Sequence, residues 1–297
     1  MKKTLAMMTA AMMVAGALAG CGSSGSTPAA TTAAATTAAT TEAATDAATT
    51  EAAGDTAAAA EGSVKTPSGK FTVGFDQEFP PMGFVGDDGQ FTGFDLDLAK
   101  EVASRLGLEF VPQPINWDAK DMELDSGNID CIWNGFTMQG REDDYTWVGP
   151  YMANNQVFVV TADSDIASKA DLAGKAVEVQ KDSSGLAALQ GEAELSASFG
   201  SMTEVADYNT ALMDLESGAC DAVCMDSIVA GYQIKSSGKD MKILDDTLSA
   251  EEYGIGFKKG EDELAKAVYD TLMEMKDDGT VAKISNDWFG SDVFTLK

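Results

Sequence analysis

An α/β fold of two packed lobes is predicted by three features of the sequence. Short β-type runs alternate with helical ones along Thr66 to Lys297, the pattern of largely parallel sheets. That stretch of about 230 residues suits two lobes of roughly 100–150 residues each. Finally, Leu124-Asp125-Ser126-Gly127-Asn128-Ile129-Asp130 and Leu215-Glu216-Ser217-Gly218-Ala219-Cys220-Asp221 share an L-x-S-G-x-x-D pattern, each at a helix end leading into a strand. Helix-to-strand turns often look alike, because glycine supplies a left-handed cap. Two copies, each followed by a short strand and candidate ligand groups, favour two lobes of one βαβ architecture.

The elements follow in order. Phe71 to Phe75 reads as a strand. After a loop rich in Pro and Gly, Asp95 and Asp97 open a helix with Leu98, Val102 and Leu106 at four-residue spacing, and Gly107 ends it. Leu108 to Val111 is the next strand. A short helix around Asp118 to Asp125 stops at Gly127, and Ile129 to Trp133 is again strand. Gln156 to Thr161 and Ala176 to Val179 continue the series. A helix near Tyr208 to Glu216, a strand at Asp221 to Met225, a helix from Ser227 and a strand at Tyr253 to Phe257 come next. Two helices close the chain, with core stripes Leu264, Val268, Leu272, Met275 and Val281, Ile284, Trp288.

Ahead of this body, Lys2 and Lys3 precede an apolar run from Leu5 to Leu18 that is short for a membrane span, so residues 1–20 read as an export signal. Leu18-Ala19-Gly20-Cys21 resembles the lipobox of bacterial lipoproteins, which makes Cys21 the expected lipidation site. Residues 21–65 form the expected tether. Between 29 and 60 every residue except Glu42, Asp46, Glu51, Gly54 and Asp55 is alanine or threonine, leaving nothing large to bury. A flexible tether of that length reaches on the order of 40 Å.

Composition excludes whole classes. The chain has 297 residues, 48 acidic against 20 basic, a net charge of −28 and no histidine. So acidic a chain is repelled by nucleic-acid phosphates, and no nucleic-acid partner is expected. Without histidine, serine–histidine and cysteine–histidine catalysis and HExxH zinc chemistry are gone, and no metal or cofactor is expected. Three of the cysteines fall in the body. Cys220 and Cys224, four residues apart along a strand, stand about 13 Å apart, beyond the roughly 7 Å limit for a bridge. Free buried thiols are the expectation.

The body resembles the polar amino-acid-binding proteins of bacterial ABC importers (family 3 extracellular solute-binding proteins). The resemblance runs through Val73-Gly74-Phe75-Asp76, Phe79-Pro80-Pro81, Gly89, Gly93-Phe94-Asp95-Leu96-Asp97-Leu98-Ala99 and Ser126-Gly127 with Asp130. It continues through Asn134-Gly135-Phe136-Thr137, Arg141, Pro150-Tyr151, Asp171-Leu172-Ala173-Gly174-Lys175 and Tyr253-Gly254-Ile255-Gly256-Phe257-Lys258-Lys259-Gly260. It implies a two-lobed periplasmic-binding-protein-like (type II) fold with two hinge crossings. Lobe 1 would combine 66–159 with 253–297, and lobe 2 would be 160–252. The implied protein is a monomeric lipoprotein, not an enzyme, anchored by lipid at the extracellular face of the cytoplasmic membrane. It would capture a free amino acid and deliver it to an ABC permease with its ATPase.

A free amino acid carries an ammonium and a carboxylate, and burying both requires opposite charge and hydrogen bonds. By resemblance, Arg141 grips the carboxylate with its planar fork of donors; a surface ion pair with neighbouring Glu142-Asp143-Asp144 is the alternative. Thr137, with the backbone of Asn134 and Gly135, matches the first-lobe ligand groups. Met138-Gln139-Gly140 is one residue shorter than the family's usual segment before the arginine. Asp182-Ser183-Ser184 opens a helix whose free amides attract an anion, although an ordinary cap reads the same way. Asp182 stands where the family usually has glycine. Asp226 matches the acid that pairs with the ammonium, or else caps the helix from Ser227. Phe79 and Trp117 match the aromatic walls, and Asp76 a polar group at the pocket floor.

The side chain of the ligand is expected to be uncharged and polar, or cationic. Asp76, Asp182 and Glu78 repel a second carboxylate, and Lys181, the one basic residue noted nearby, is expected to face solvent. Two other classes remain: an enzyme on the same fold, such as a cyclohexadienyl dehydratase, and a sensory domain feeding a kinase.

Overall fold

The computed structural model describes Thr66 and residues 68–297; the signal segment, Cys21 and the tether lie outside the described residues. The first element of the described residues is β1 (Lys70–Phe75), whose Phe71, Val73 and Phe75 are fully buried. A small antiparallel sheet follows, made of β2 (Glu78–Phe79), β3 (Gly83–Val85) and β4 (Phe91–Thr92). Next come α1 (Phe94–Leu106), β5 (Glu109–Pro114), α2 (Lys120–Ser126) and β6 (Cys131–Thr137), the last buried along its whole length. The long β7 (Tyr145–Thr161) leads to β8 (Ala176–Gln180), α3 (Ser184–Gly191), α4 (Ala193–Ser198), β9 (Ser201–Val205) and α5 (Tyr208–Ser217). Then β10 (Ala222–Asp226), α6 (Ser227–Ser237) and the long β11 (Met241–Lys258) precede α7 (Asp262–Asp277) and α8 (Thr280–Phe289).

Apart from β2, β3 and β4, the described strands form one eight-stranded sheet in the order β5-β1-β6-β11-β7-β10-β8-β9. The architecture is two-lobed and α/β, as the sequence predicts. At one end β1 pairs in parallel with β5 and β6; at the other, β8 pairs in parallel with β9 and β10. Both ends thus repeat a βαβαβ unit with the first strand in the middle. Between them β7 and β11 run antiparallel. β11 joins the first unit by pairing with β6, and β7 joins the second by pairing Gln156–Val159 with β10.

The repeated L-x-S-G-x-x-D motif has the same physical job in each unit. Gly127 (φ 75°) and Gly218 (φ 77°) end α2 and α5 in the left-handed conformation. The motif aspartate then ties the next strand to the first. Asp130 Oδ2 accepts from the Thr72 amide at 2.6 Å and Asp221 Oδ2 from the Ala176 amide at 2.8 Å, while their own amides donate to the Thr72 and Ala176 carbonyls at 2.8 Å.

Two strands are much longer than the sequence predicts. β7 begins at Tyr145 instead of Gln156, and β11 at Met241 instead of Tyr253. Polar residues such as Asn154, Asp245 and Asp246 interrupt the apolar pattern in these strands, but each strand finds its hydrogen bonds in the other. Shifts of register between Ile243 and Ser249 and between Tyr253 and Ile255 absorb the irregularities. No helix of the described residues is long and apolar enough to cross a membrane. Cys131, Cys220 and Cys224 are free and buried.

Gly93 fixes where α1 starts. Its φ is 144°, and a Cβ there would lie 2.2 Å from the Met82 carbonyl oxygen, a backbone atom that cannot swing aside. Gly93→Ala should therefore destabilise the protein by roughly 3 kcal/mol in urea unfolding. Gly89 has φ 74° and open space around its missing Cβ, so Gly89→Ala should lose only about 1–2 kcal/mol.

Candidate functional site

A small pocket between the two units brings together Arg141, Thr137 and Gly135 from the first with Ser183, Ser184 and Asp226 from the second. Phe79 and Trp117 also line it, as does Gln180, and about 10 Å³ of space is free inside. Asp76, Asn134 and Asp182 lie next to this pocket and do not line it. The Asn134 side chain accepts from the Asp76 amide at 2.9 Å, and the Gly135 amide is taken by Asp95 Oδ2 at 2.7 Å.

Arg141 Nη1 donates to the Thr137 carbonyl at 3.1 Å and Nη2 to the Asp182 carbonyl at 3.4 Å, with the guanidinium 5.1 Å from the Phe136 ring centre. Among the described residues no carboxylate pairs with it, so the ion pair with Glu142, Asp143 or Asp144 is not formed. The Trp147 indole donates to the Arg141 carbonyl at 3.1 Å and anchors the shortened loop. Ser183 caps α3 by accepting from the Leu186 amide at 3.1 Å. Ser184 Oγ bridges the units, receiving Thr137 Oγ1 at 3.2 Å and Gln156 Nε2 at 3.1 Å.

Asp226 precedes α6, yet its side chain makes no cap bond. The Asn154 side-chain oxygen Oδ1 takes that role, accepting from the Ile228 amide and the Ser227 hydroxyl. Asp226 is freed for the cleft: Oδ1 accepts from Asn154 Nδ2 at 2.6 Å and the Tyr253 hydroxyl at 2.7 Å, and Oδ2 from the Tyr208 hydroxyl at 2.8 Å. Beside it Glu251 Oε1 accepts from Asn154 Nδ2 at 2.6 Å and Gln156 Nε2 at 2.9 Å.

Further polar contacts span the outer cleft. Lys120, 2 % exposed, pairs with the Asp182 carboxylate and lies 5.2 Å from the Trp117 ring centre. Asp182 holds φ at 56°, the conformation that suits the glycine the family usually has there. Lys181 is exposed, as expected, and pairs with Asp118 at 2.7 Å. It is not the only basic group nearby, since Lys120 is closer to the cleft interior. Asp76 Oδ2 accepts from Gln180 Nε2 at 2.7 Å, Asn209 donates to Glu78, and Phe79 stacks on Tyr208 with centroids 5.6 Å apart. Outside these contacts opens a cavity of about 1020 Å³ whose lining includes Asp76, Glu78, Asp118, Glu204 and Asp207 against Lys181.

Sequence reasoning missed Lys120, Asn154, Gln156, Gln180, Tyr208 and Glu251. Gln156 carried a usable signal, because it is a polar residue opening the apolar run Val157-Phe158-Val159-Val160 and is fully buried. Lys120 carried none; a lysine in a short helix ordinarily faces water.

A cleft between two α/β units, with a cation and an acid both lining one pocket, is the layout of a two-lobed solute-binding protein. Residues 71–291 match the bacterial extracellular solute-binding proteins, family 3, and the chain belongs to that family. It is 32% identical over 231 residues to the L-cystine-binding protein TcyJ of Escherichia coli K12, covering 76% of this chain and 84% of the relative. A substrate-binding protein of an ABC uptake transporter from Streptococcus pneumoniae, solved with bound histidine, aligns with a TM-score of 0.74 at 34% identity, over 77% of this chain and 95% of that one. An ancestral arginine-binding protein bound to arginine gives 0.70 at 36% identity, over 75% and 99%.

Burial lifts three carboxyls of this region. Asp76 is raised to about 6 and Asp95 to about 7, each chiefly by loss of water, and hydrogen bonds offset this only in part. Glu251 is raised to about 7 by burial and then by the Asp226 charge. Each binds its proton more tightly folded than unfolded, so the folded chain holds more protons between about pH 4 and 7. Stability of the ligand-free protein should fall as pH rises through that window, on the order of 1 kcal/mol per pH unit for each group. Thermal melts at pH 5 and pH 8 check this; a higher melting temperature at pH 8 contradicts it.

Proposed function

We propose that this protein is the solute-binding lipoprotein of an amino-acid ABC importer, capturing one polar amino acid between closing lobes and delivering it to the membrane permease. The observation that carries the reading is the pairing of opposite charges across one small pocket. Arg141 has no carboxylate partner among the described residues, and Asp226 lines the same pocket. An α-carboxylate answers the first and an α-ammonium the second. Thr137, Ser183, Ser184 and the α3 amides supply hydrogen bonds, while Phe79 and Trp117 flank the side chain. The names of the relatives, which bind cystine, histidine or arginine, support an amino acid as ligand, and as binding proteins they support a role without catalysis.

About 10 Å³ admits no amino acid, so the lobes must part to load one. We place lobe 1 at 66–159 with 253–297 and lobe 2 at 160–252. The motion would then centre on β7 near Gln156–Val159 and β11 near Tyr253–Phe257. Cys21 would carry the lipid, and residues 21–65 would let the body reach its permease from the extracellular face of the membrane.

Specificity follows from the charges. Lys120 and Lys181 are committed to Asp182 and Asp118, so neither is free for a second ligand carboxylate. Acids dominate the outer cavity. Glutamine, arginine and lysine should rank ahead of glutamate and aspartate. Competition calorimetry checks the order, and glutamate or aspartate binding tenfold tighter than all three would refute it.

A thermal-shift panel of the twenty amino acids tests the function itself. With the best ligand, Arg141→Ala and Asp226→Asn should each weaken binding by about 2–5 kcal/mol while the variants stay folded. Binding within a factor of three of the parent in both would remove the assignment. On adding ligand, scattering should report a smaller radius of gyration as open molecules close.

A further inference from the structure

Glu251 lies on β11 with Asn154 as its register partner on β7, and is 5 % exposed. It stands just behind the pocket wall: its Oε1 is 3.4 Å from Ser184 Oγ, the hydroxyl that accepts from Thr137 Oγ1. One nitrogen, Asn154 Nδ2, donates at 2.6 Å to both Glu251 and Asp226, so oxygens of the two carboxyls are at most about 5 Å apart. Two buried carboxylates this close cannot both ionise without a compensating cation.

The surroundings decide which one keeps a proton. Asp226 receives the hydroxyls of Tyr208 and Tyr253 and sits at the N-terminus of α6, where partial positive charge favours an anion. Glu251 receives no tyrosine hydroxyl; its donors are the side-chain amides of Asn154 and Gln156 and, at 3.4 Å, the hydroxyl of Ser184 at the start of α3. The other titratable groups facing it are Cys224 of β10, Tyr208 of α5 and Tyr253 of its own strand, all pushed upward by burial and so neutral. No lysine or arginine pairs with either acid among the described residues. Arg141, the cation of the pocket, is turned to the Thr137 and Asp182 carbonyls.

We propose that Glu251 is a proton-linked determinant of ligand affinity: it carries a proton in the ligand-free cleft and releases it to solvent when an α-ammonium arrives beside Asp226. The inference rests on the amino-acid reading of the cleft. In the exchange the carboxyl O–H bond breaks, the proton passes to buffer, and the ammonium replaces it as the positive charge that offsets the acid pair. No electrons move. Burial together with the Asp226 charge raises Glu251 to about 7, so the exchange falls in the neutral range. A bound cation lowers that value, and affinity must then rise with pH until Glu251 is ionised in the free protein as well.

Calorimetry with L-glutamine and L-arginine tests this, because neither amino acid titrates between about pH 5.5 and 7.5. Run in buffers of different ionisation enthalpy, it counts protons released per ligand bound. The wild-type protein should release roughly half a proton or more at about pH 6.5, with affinity rising several-fold from about pH 5.5 to 7.5. Glu251→Gln should fold, bind, and lose most of both effects. Binding by the wild type without proton release overturns the inference and leaves the amino-acid reading intact. Undiminished release from a folded Glu251→Gln variant also overturns it, since the proton then comes from another group such as Asp76. Should that variant fail to fold, carboxyl ¹³C resonances of the wild type decide: Glu251 must titrate near neutrality without ligand and at lower pH with it. A chain that binds none of the twenty amino acids loses both readings.

Discussion

The pairing of β7 with β11 is the constraint on which the rest of the molecule depends. These strands, 17 and 18 residues long, pair antiparallel at the middle of a sheet whose two ends are parallel. They also carry the polar centre of the cleft. Asn154 and Gln156 project from β7 and Glu251 and Tyr253 from β11, while Asp226 enters from β10 opposite Gln156. The backbone bonds that join the two units therefore hold the carboxyl network in place. Any rotation between the units acts directly on the hydrogen bonds of Asp226 and Glu251.

Charge is handled differently at long and short range. A net charge of −28 repels anions from the molecule as a whole. Inside the cleft, each lysine is matched by an acid from the facing unit, Lys120 by Asp182 and Lys181 by Asp118, and these pairs help hold the units together. Arg141 is left with carbonyl oxygens and an aromatic face. A guanidinium so placed attracts a carboxylate over a short distance that the surface field cannot cancel, because water and salt screen the more distant charges.

The two βαβαβ units show how one local device can be used twice. In each, a left-handed glycine ends the helix before the third strand, and an aspartate three residues later accepts from the first strand. The bond from Asp130 to the Thr72 amide and that from Asp221 to the Ala176 amide settle how the third strand meets the first. The same residue types recur at the same spacing in both units because this turn geometry requires them.

The sequence by itself determined the α/β class, the helix ends at glycine, the repeated unit and most of the pocket lining, because these depend on neighbours within a few residues or on a motif read in order. Arg141, Thr137, Ser184 and Asp226 could be named that way. Tertiary structure alone decided the lengths of β7 and β11, whose polar residues hide a pairing formed across roughly a hundred residues of chain. It also decided that Asn154, rather than Asp226, caps α6, and that Lys120 is buried while Lys181 is exposed. The role of a polar side chain depends on which donors and charges surround it once distant segments meet. Glu251 and Glu252 are the same residue type side by side, and strand alternation with the partner strand's amides makes one a buried member of the site and leaves the other at the surface.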